Sequence, residues 1–254
     1  MGSSWRIGTV EELHDETPSA RTLVLRVAGW PGHDAGQHVD VRLTAPDGYT
    51  AVRAYSVASA PDGDRVELTV DRVPDGEVSP YLVQAVSVGD QLEVRGPLGG
   101  WFVWRPSQPE PVQLVAGGSG IVPLMAILRT HAAVGGRAGG AAPIRLLYSV
   151  RDPGSTFYRD ELARLGRQPS VQRGDVPRVS YVYTRSAPPG WPCRIGRLDR
   201  VTLAESTWVP GQAPTCYVCG PTGFVESTAD LLIEAGHDPA RIKTERFGPS
   251  GGTR

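Results

Sequence analysis

Three short segments carry side chains or bare backbone able to do chemistry. In Arg53-Ala-Tyr-Ser-Val-Ala-Ser59, Arg53 and Tyr55 stand two residues apart. On a β-strand they share a face, which sets a cation for a phosphate beside a ring that can stack on a planar ligand. An exposed arginine next to a structural tyrosine has the same spacing. In Gln113-Leu-Val-Ala-Gly-Gly-Ser-Gly-Ile-Val-Pro123 an apolar run ends in glycines and a helix start, where free backbone N–H groups and the positive helix end can bind a pyrophosphate. The pattern is GxGxxP rather than GxGxxG, and no GK[ST] is present, so neither the dinucleotide fingerprint nor a P-loop fits cleanly. A tight turn needs such glycines for steric reasons alone. The third segment, Cys219-Gly-Pro-Thr-Gly223, closes another apolar run; a strand end followed by an ordinary helix start reads the same way.

Other chemistries find little support. The three cysteines, Cys193, Cys216 and Cys219, are too few for a disulfide framework or a four-thiolate iron-sulfur cluster. Cys216 and Cys219 form a CxxC inside Thr215-Cys-Tyr-Val-Cys219, but side chains three apart on a strand point to opposite faces. No metal site is expected.

The elements that must position these residues fall into two classes. From Trp5 to Trp104, short segments alternate apolar with polar: Arg21 to Val27, His38 to Leu43, Arg65 to Val70 and Gln91 to Arg95. That is the period of half-buried antiparallel strands, and Ala45-Pro-Asp-Gly48, Ala60-Pro-Asp-Gly63 and Val88-Gly-Asp90 supply the tight turns between them. About six such strands suggest a small barrel or sandwich. Within them, Glu77 to Ala85 reads as a short helix with Ser79 as N-cap and Pro80 in the first turn. Three prolines between Arg105 and Pro111 suit a linker.

Beyond it, the near-continuous apolar runs Pro111 to Ala116, Ile144 to Val150, Val179 to Thr184, Thr215 to Cys219 and Arg241 to Phe247 read as strands. Helix candidates Ile121 to Ala133, Thr156 to Leu165, Leu198 to Ala204 and Thr222 to Ala235 lie between them, and the glycine- and alanine-rich Gly135 to Ala142 reads as a loop. Strand and helix in alternation mean a parallel sheet covered on both faces. The 254 residues thus divide into an antiparallel barrel or sandwich over 1–106 and a five-stranded parallel α/β domain over 107–254.

Composition is that of an ordinary soluble protein, 40% apolar and 21% charged. A net charge of −1 argues against nucleic-acid and membrane-surface binding. Residues 1–106 carry 9 arginines against 15 acids, a balance of −6, and residues 107–254 carry 17 bases against 12 acids, a balance of +5. No run approaches the roughly 18 to 20 apolar residues that span a bilayer, and Met1 to Arg6 lacks a signal-peptide pattern. Membrane insertion is not expected and a cytoplasmic location is.

Taken in order, the motifs are more specific than any one of them. Arg53-x-Tyr-Ser56, Gly76-Glu-Val-Ser79, Gly96-Pro-Leu-Gly-Gly100, Gly117-Gly-Ser-Gly-Ile-Val-Pro123 and Cys219-Gly-Pro221 follow the order of the ferredoxin-NADP reductase superfamily. The whole chain resembles its FAD-binding bacterial reductases that lack a ferredoxin domain. The resemblance implies a Greek-key FAD barrel followed by an NAD(P) domain. It implies that Arg53 pairs with the flavin phosphate, that Tyr55 lies against the isoalloxazine, and that Ser56 hydrogen-bonds near flavin N5. Gly76, Val78 and Ser79 would hold the FAD pyrophosphate. Gly117, Gly118, Ser119 and Gly120, with Gly220 and Pro221, would border the nicotinamide nucleotide, and Cys219 would sit near the nicotinamide. Glu245 and Phe247, in the last strand, would serve as proton relay and ring cover, although packing of an edge strand explains them equally.

Thr184-Arg185 resembles the hydroxyl and arginine that hold a 2′-phosphate in NADP-specific relatives, with Arg151 and Arg194 within reach. No acidic residue ends the second strand of the α/β domain, where Ser149-Val-Arg151 precedes Asp152, so free ribose hydroxyls lack their usual partner. NADPH is therefore expected over NADH, with Arg173, Arg178 and Arg197 as surface charges. The resemblance implies an FAD-dependent NAD(P)H oxidoreductase that passes electrons singly to a separate acceptor: a ferredoxin, a haem protein, or an iron-sulfur or molybdenum enzyme. Two other readings are a flavin reductase that releases reduced flavin and a non-catalytic flavin- or nucleotide-binding subunit.

Overall fold

The computed structural model describes residues 4–134, 142–166 and 177–248. Residues 135–141 of the expected loop, and Arg173, lie outside the described residues. The chain clusters into two units, Met1–Arg105 with Met125–Thr130, and Pro106–Leu124 with His131–Arg254.

The first unit is built on six strands: β1 (Trp5–Thr17), β2 (Ala20–Val27), β3 (His38–Thr44), β4 (Thr50–Ser56), β5 (Arg65–Asp71) and β6 (Gln91–Leu98). They pair antiparallel in the order β4-β3-β6-β1-β2-β5. The two edges meet beyond β4, where Val57 bridges Leu68 and the Ala58 N–H donates to the Glu67 carbonyl at 2.8 Å. Joined there, the strands run β1-β2-β5-β4-β3-β6 around a Greek-key barrel.

Leu23, Leu25, Val39, Val41, Leu68 and Val94 fill the interior. Strands β2 and β5 depart from the expected half-burial, with their outer-face residues buried as well. One cover is helix α1 (Ser79–Gln84), which packs against both strands and buries Leu82 and Val83. The polar residues trapped on these strands satisfy one another: the Thr22 and Thr69 hydroxyls meet at 2.7 Å, and Thr22 also donates to Glu16.

Between β2 and β3 a buried histidine is fixed in one tautomer. The Trp30 indole N–H donates to His33 Nδ1 at 3.2 Å, so Nε2 carries the proton and donates to the Ser59 carbonyl at 3.1 Å. Burial lowers the proton affinity of His33, partly offset by the Ser59 carbonyl and by Asp34. The unfolded chain therefore binds more protons below about pH 6.5, and folding stability should fall as pH drops from 7 toward 5. His38 and His237 are shifted the same way by burial. Urea midpoints measured across that range should decline, with a shallower slope in His33→Gln; equal slopes would remove His33 from the account.

The second unit holds β7 (Val112–Gly117), β8 (Ile144–Val150), β9 (Arg178–Tyr183), β10 (Thr215–Pro221) and β11 (Ile242–Phe247). They form a wholly parallel sheet in the order β11-β10-β7-β8-β9. Its helices are the two ends of α2 (Ile121–Val134), whose middle clusters with the first unit, and α3 (Arg159–Leu165), α4 (Arg200–Ser206) and α5 (Thr222–Glu234). The central strand β7 is buried along its length, as parallel strands covered on both faces must be. Helix α3 starts three residues later than the apolar pattern predicts. Pro153–Ser155 forms a separate 3-10 turn capped by Asp152, and Tyr158 takes a left-handed conformation (φ 53°) that cannot belong to the helix.

Candidate functional site

Each unit carries its own candidate site. In the first, β4 pairs with β3 so that Arg53 stands opposite Val41, Tyr55 opposite Val39 and Ser56 opposite His38. Tyr55 packs on the barrel core, and burial pushes its phenol up to about 12, so it is a neutral ring at any working pH. Arg53 reaches outward: its guanidinium donates to Glu77 at 2.9 Å and to the Val52 carbonyl at 2.8 Å. That ion pair joins β4 to the Gly76–Ser79 segment through residues 24 positions apart in the chain.

Around Gly76 the loop is closed by short contacts. The Gly76 N–H donates to the Val73 carbonyl at 3.0 Å, and a Cβ on Gly76 would lie 3.1 Å from Ser79 Oγ and 3.2 Å from that carbonyl. Ser79 is not the helix N-cap expected of it. Val78 holds that position without a side-chain bond, and Ser79 Oγ instead accepts the Val73 N–H at 3.0 Å. A hydroxyl used as acceptor keeps its own proton to donate. Val78 turns its side chain into the core, leaving only its backbone for a ligand.

The Gly96–Gly100 motif joins the same neighbourhood through His38. A Cβ on Gly99 would lie 3.1 Å from His38 Nδ1, and the Gly99 carbonyl accepts from Gln37 at 2.7 Å. His38 thus sits between Gly99 and buried Ser56. Sequence reasoning missed it, although its place on an alternating strand was visible.

In the second unit the sheet order places β8 and β9 on one side of β7, and β10 and β11 on the other. The β7–β10 boundary is therefore the switch point where open parallel sheets bind ligands at their carboxyl ends. Both glycine motifs lie there, interlocked. A Cβ on Gly117 would lie 2.6 Å from the Phe224 ring, and one on Gly220 would lie 3.0 Å from the Gly117 carbonyl. A Cβ on Gly120 would lie 2.6 Å from the Gly220 nitrogen and nearer still to the Cys219 carbonyl. Gly118 has open space around it and a φ of +53°, the left-handed region that glycine occupies without strain. Gly118 and Ser119 remain partly exposed on the rim.

Cys219 is fully buried, between Ala116 of β7 and Glu245 of β11. Burial, reinforced by the Glu245 carboxylate, raises its thiol pKa far above the usual range, so it is an uncharged thiol and not a nucleophilic thiolate. Burial likewise pushes Cys216 up to about 12; both are free thiols. Phe247 stands opposite Pro221, which brings Glu245 and Phe247 to the same rim as Cys219, Gly220 and Pro221. No group of three or more His, Cys, Asp or Glu that could hold a metal occurs among the described residues.

Farther along that rim, Thr184 and Arg185 follow β9. Their N–H groups donate to the carbonyls of Val150 and Arg151, each at 2.9 Å, which sets the exposed Arg151 and Arg185 side by side. The chain then returns: the Gly196 N–H donates to the Tyr183 carbonyl at 2.9 Å, leaving Arg194 two residues from the same corner. Arg194 pairs with Asp199 at 3.1 Å. The Asp152 carboxylate accepts the N–H and the hydroxyl of Ser155 at 3.0 and 3.1 Å and so is engaged in its own turn. Arg178 and Arg197 are exposed.

Comparison with known proteins finds two oxidoreductase domains in the chain. Residues 9–103 match the oxidoreductase FAD-binding domain and residues 114–230 the oxidoreductase NAD-binding domain. The chain is 35% identical over 223 residues to ferredoxin--NADP reductase B of Sorangium cellulosum, covering 84% of this chain and 85% of that protein. It is 30% identical over 246 residues to the ferredoxin--NAD(P)(+) reductase component of the naphthalene 1,2-dioxygenase/salicylate 5-hydroxylase systems of a Ralstonia species, covering 96% of this chain and 69% of that protein. Among solved structures, it resembles the flavohem-like FAD/NAD binding domain of nitric oxide dioxygenase from Vibrio cholerae O1 biovar El Tor. That match has a TM-score of 0.81 and 28% identity over 98% of this chain and all of that one.

Proposed function

Because the chain belongs to the ferredoxin-NADP reductase superfamily, an FAD-dependent NAD(P)H oxidoreductase, we propose that residues 1–106 hold FAD and residues 107–254 hold NADPH, and that a separate redox protein takes the electrons. The observation that carries the reading is the ion pair that ties Arg53, two residues from Tyr55 on β4, to Glu77 in the Gly76–Ser79 turn. Those residues suit a flavin dinucleotide: a cation and a hydroxyl with a proton to give for the phosphates, a neutral ring for the isoalloxazine, and a glycine turn for close approach. When bound, FAD would supply the acceptor for one hydride and the means to release its two electrons one at a time. Arg53 and Ser79 fix the phosphates, Tyr55 covers the ring, and Ser56 orients its reacting edge.

In the second unit, Gly117 to Gly120 with Gly220 and Pro221 give the nucleotide backbone access at the switch point. Buried Cys219 offers a compact uncharged wall for the nicotinamide, Glu245 a carboxylate behind it and Phe247 a cover. Thr184 and Arg185 take the 2′-phosphate, supported by Arg151 and Arg194. Arg185→Ala should raise KM for NADPH about 10- to 30-fold, the worth of a charge-assisted bond at an exposed site, and leave NADH nearly unchanged. Equal effects on both nucleotides would reject that role.

The partner is a one-electron acceptor: a ferredoxin, a haem protein, or an iron-sulfur or molybdenum enzyme. We assign the chain to the cytoplasm; no helix among the described residues is long and apolar enough to cross a membrane. The test is the visible spectrum of the purified chain, followed by anaerobic titration with NADPH and NADH. Retained flavin that bleaches with one equivalent of NADPH supports the reading. Flavin that is reduced and then released identifies a flavin reductase, and flavin that stays oxidised identifies a non-catalytic subunit.

A further inference from the structure

The cation assigned to the flavin phosphate already has an anionic partner. Arg53 Nη2 lies 2.9 Å from Glu77 Oε2, and the other oxygen of the same carboxylate accepts the Tyr49 hydroxyl at 3.2 Å. Glu77 stands between Gly76 and Val78, inside the segment assigned to the pyrophosphate. The side chains of Arg53 and Glu77 are 51% and 53% exposed, so the pair is held weakly and is easily exchanged. A diphosphate that draws Arg53 away strips Glu77 of its partner and leaves a carboxylate beside the phosphate charges.

We propose that Glu77 is a built-in competitor for the flavin phosphate, a residue that holds Arg53 when no dinucleotide is bound and limits how tightly the chain keeps FAD. The proposal rests on the reading of Arg53 as phosphate ligand. Tyr49 is a positioning residue: its hydroxyl donates to the Glu77 carboxylate and holds it in place. Because the groups are exposed, the competition is electrostatic and screened by salt. It acts on the phosphates and not on the ring.

The experiment is titration of the full chain, freed of flavin, with FAD and with riboflavin, read by flavin fluorescence at low salt and at about 0.5 M salt. Glu77→Gln should bind FAD about three- to tenfold more tightly at low salt, the range set by one exposed ion pair and one nearby like charge. The gain should shrink at high salt and be absent for riboflavin, which has no phosphate. Tyr49→Phe should tighten FAD binding in the same direction by a smaller factor. Unchanged or weaker FAD binding in Glu77→Gln would overturn the proposal, as would an equal gain for riboflavin. Arg53→Ala in the same assay separates the two ideas. Wild-type affinity in that variant removes the phosphate role of Arg53 itself, whereas weakened binding there with no gain in Glu77→Gln removes only the competitor.

Discussion

Arg53→Ala is expected to purify with little or no yellow flavin. Arginine bonds to phosphate are charge-assisted and bidentate, worth roughly 1.5–3 kcal/mol apiece. Against that stands the exposed pair with Glu77, whose loss costs at most about 1 kcal/mol. The net loss is about 2–4 kcal/mol, roughly a 30- to 1,000-fold rise in the dissociation constant for FAD. Arg53→Lys should fall between, since an ammonium keeps the charge and loses the planar fork. Arg53 is half exposed and lies outside the barrel core, so the flavin-free variant should unfold within about 4 °C of flavin-free wild type, the worth of one exposed ion pair. Full flavin occupancy in Arg53→Ala would sink the assignment.

How legible the molecule was depends on whether a feature announces itself locally. Strand β8 occupies the run Ile144 to Val150 that its apolar character marked out, because a strand buried on both faces is a continuous apolar signal. Alternation of apolar and polar residues does not delimit strand β1. Glu11, Glu12, His14 and Asp15 crowd its middle, and register shifts between Val10 and Glu12 and between Asp15 and Thr17 break its alternation; it is a strand because β2 and β6 pair with it on both sides. The site shows the same contrast. Arg53 and Tyr55 declared themselves by spacing two apart, whereas the partner of Arg53 is an exposed glutamate 24 residues away, and a long-range ion pair leaves no periodicity to read. Ser79 failed as a cap for a related reason. Its hydroxyl had two backbone N–H groups to choose from, and closure of the loop on Val73 won.

The glycines of the second unit separate packing from ligand approach, and Gly120→Ala is where the difference is largest. A Cβ there would press on the Cys219 carbonyl and lie 2.6 Å from the Gly220 nitrogen, both backbone atoms of the central sheet that cannot rotate away. Overpacking against fixed backbone costs about 3 kcal/mol or more, and Gly120→Ala should lose that much stability in urea unfolding. Gly117→Ala meets the Phe224 ring, a side chain able to turn, and should cost less. Gly118→Ala meets nothing, and its φ of +53° should cost only about 1–2 kcal/mol. The order Gly120 above Gly118 is the signature of two turns locked together beneath the nucleotide rim. A stable Gly120→Ala that had lost only NADPH binding would reverse the conclusion: the glycine would then be kept for the approach of the dinucleotide, and the close contact with β10 would be incidental.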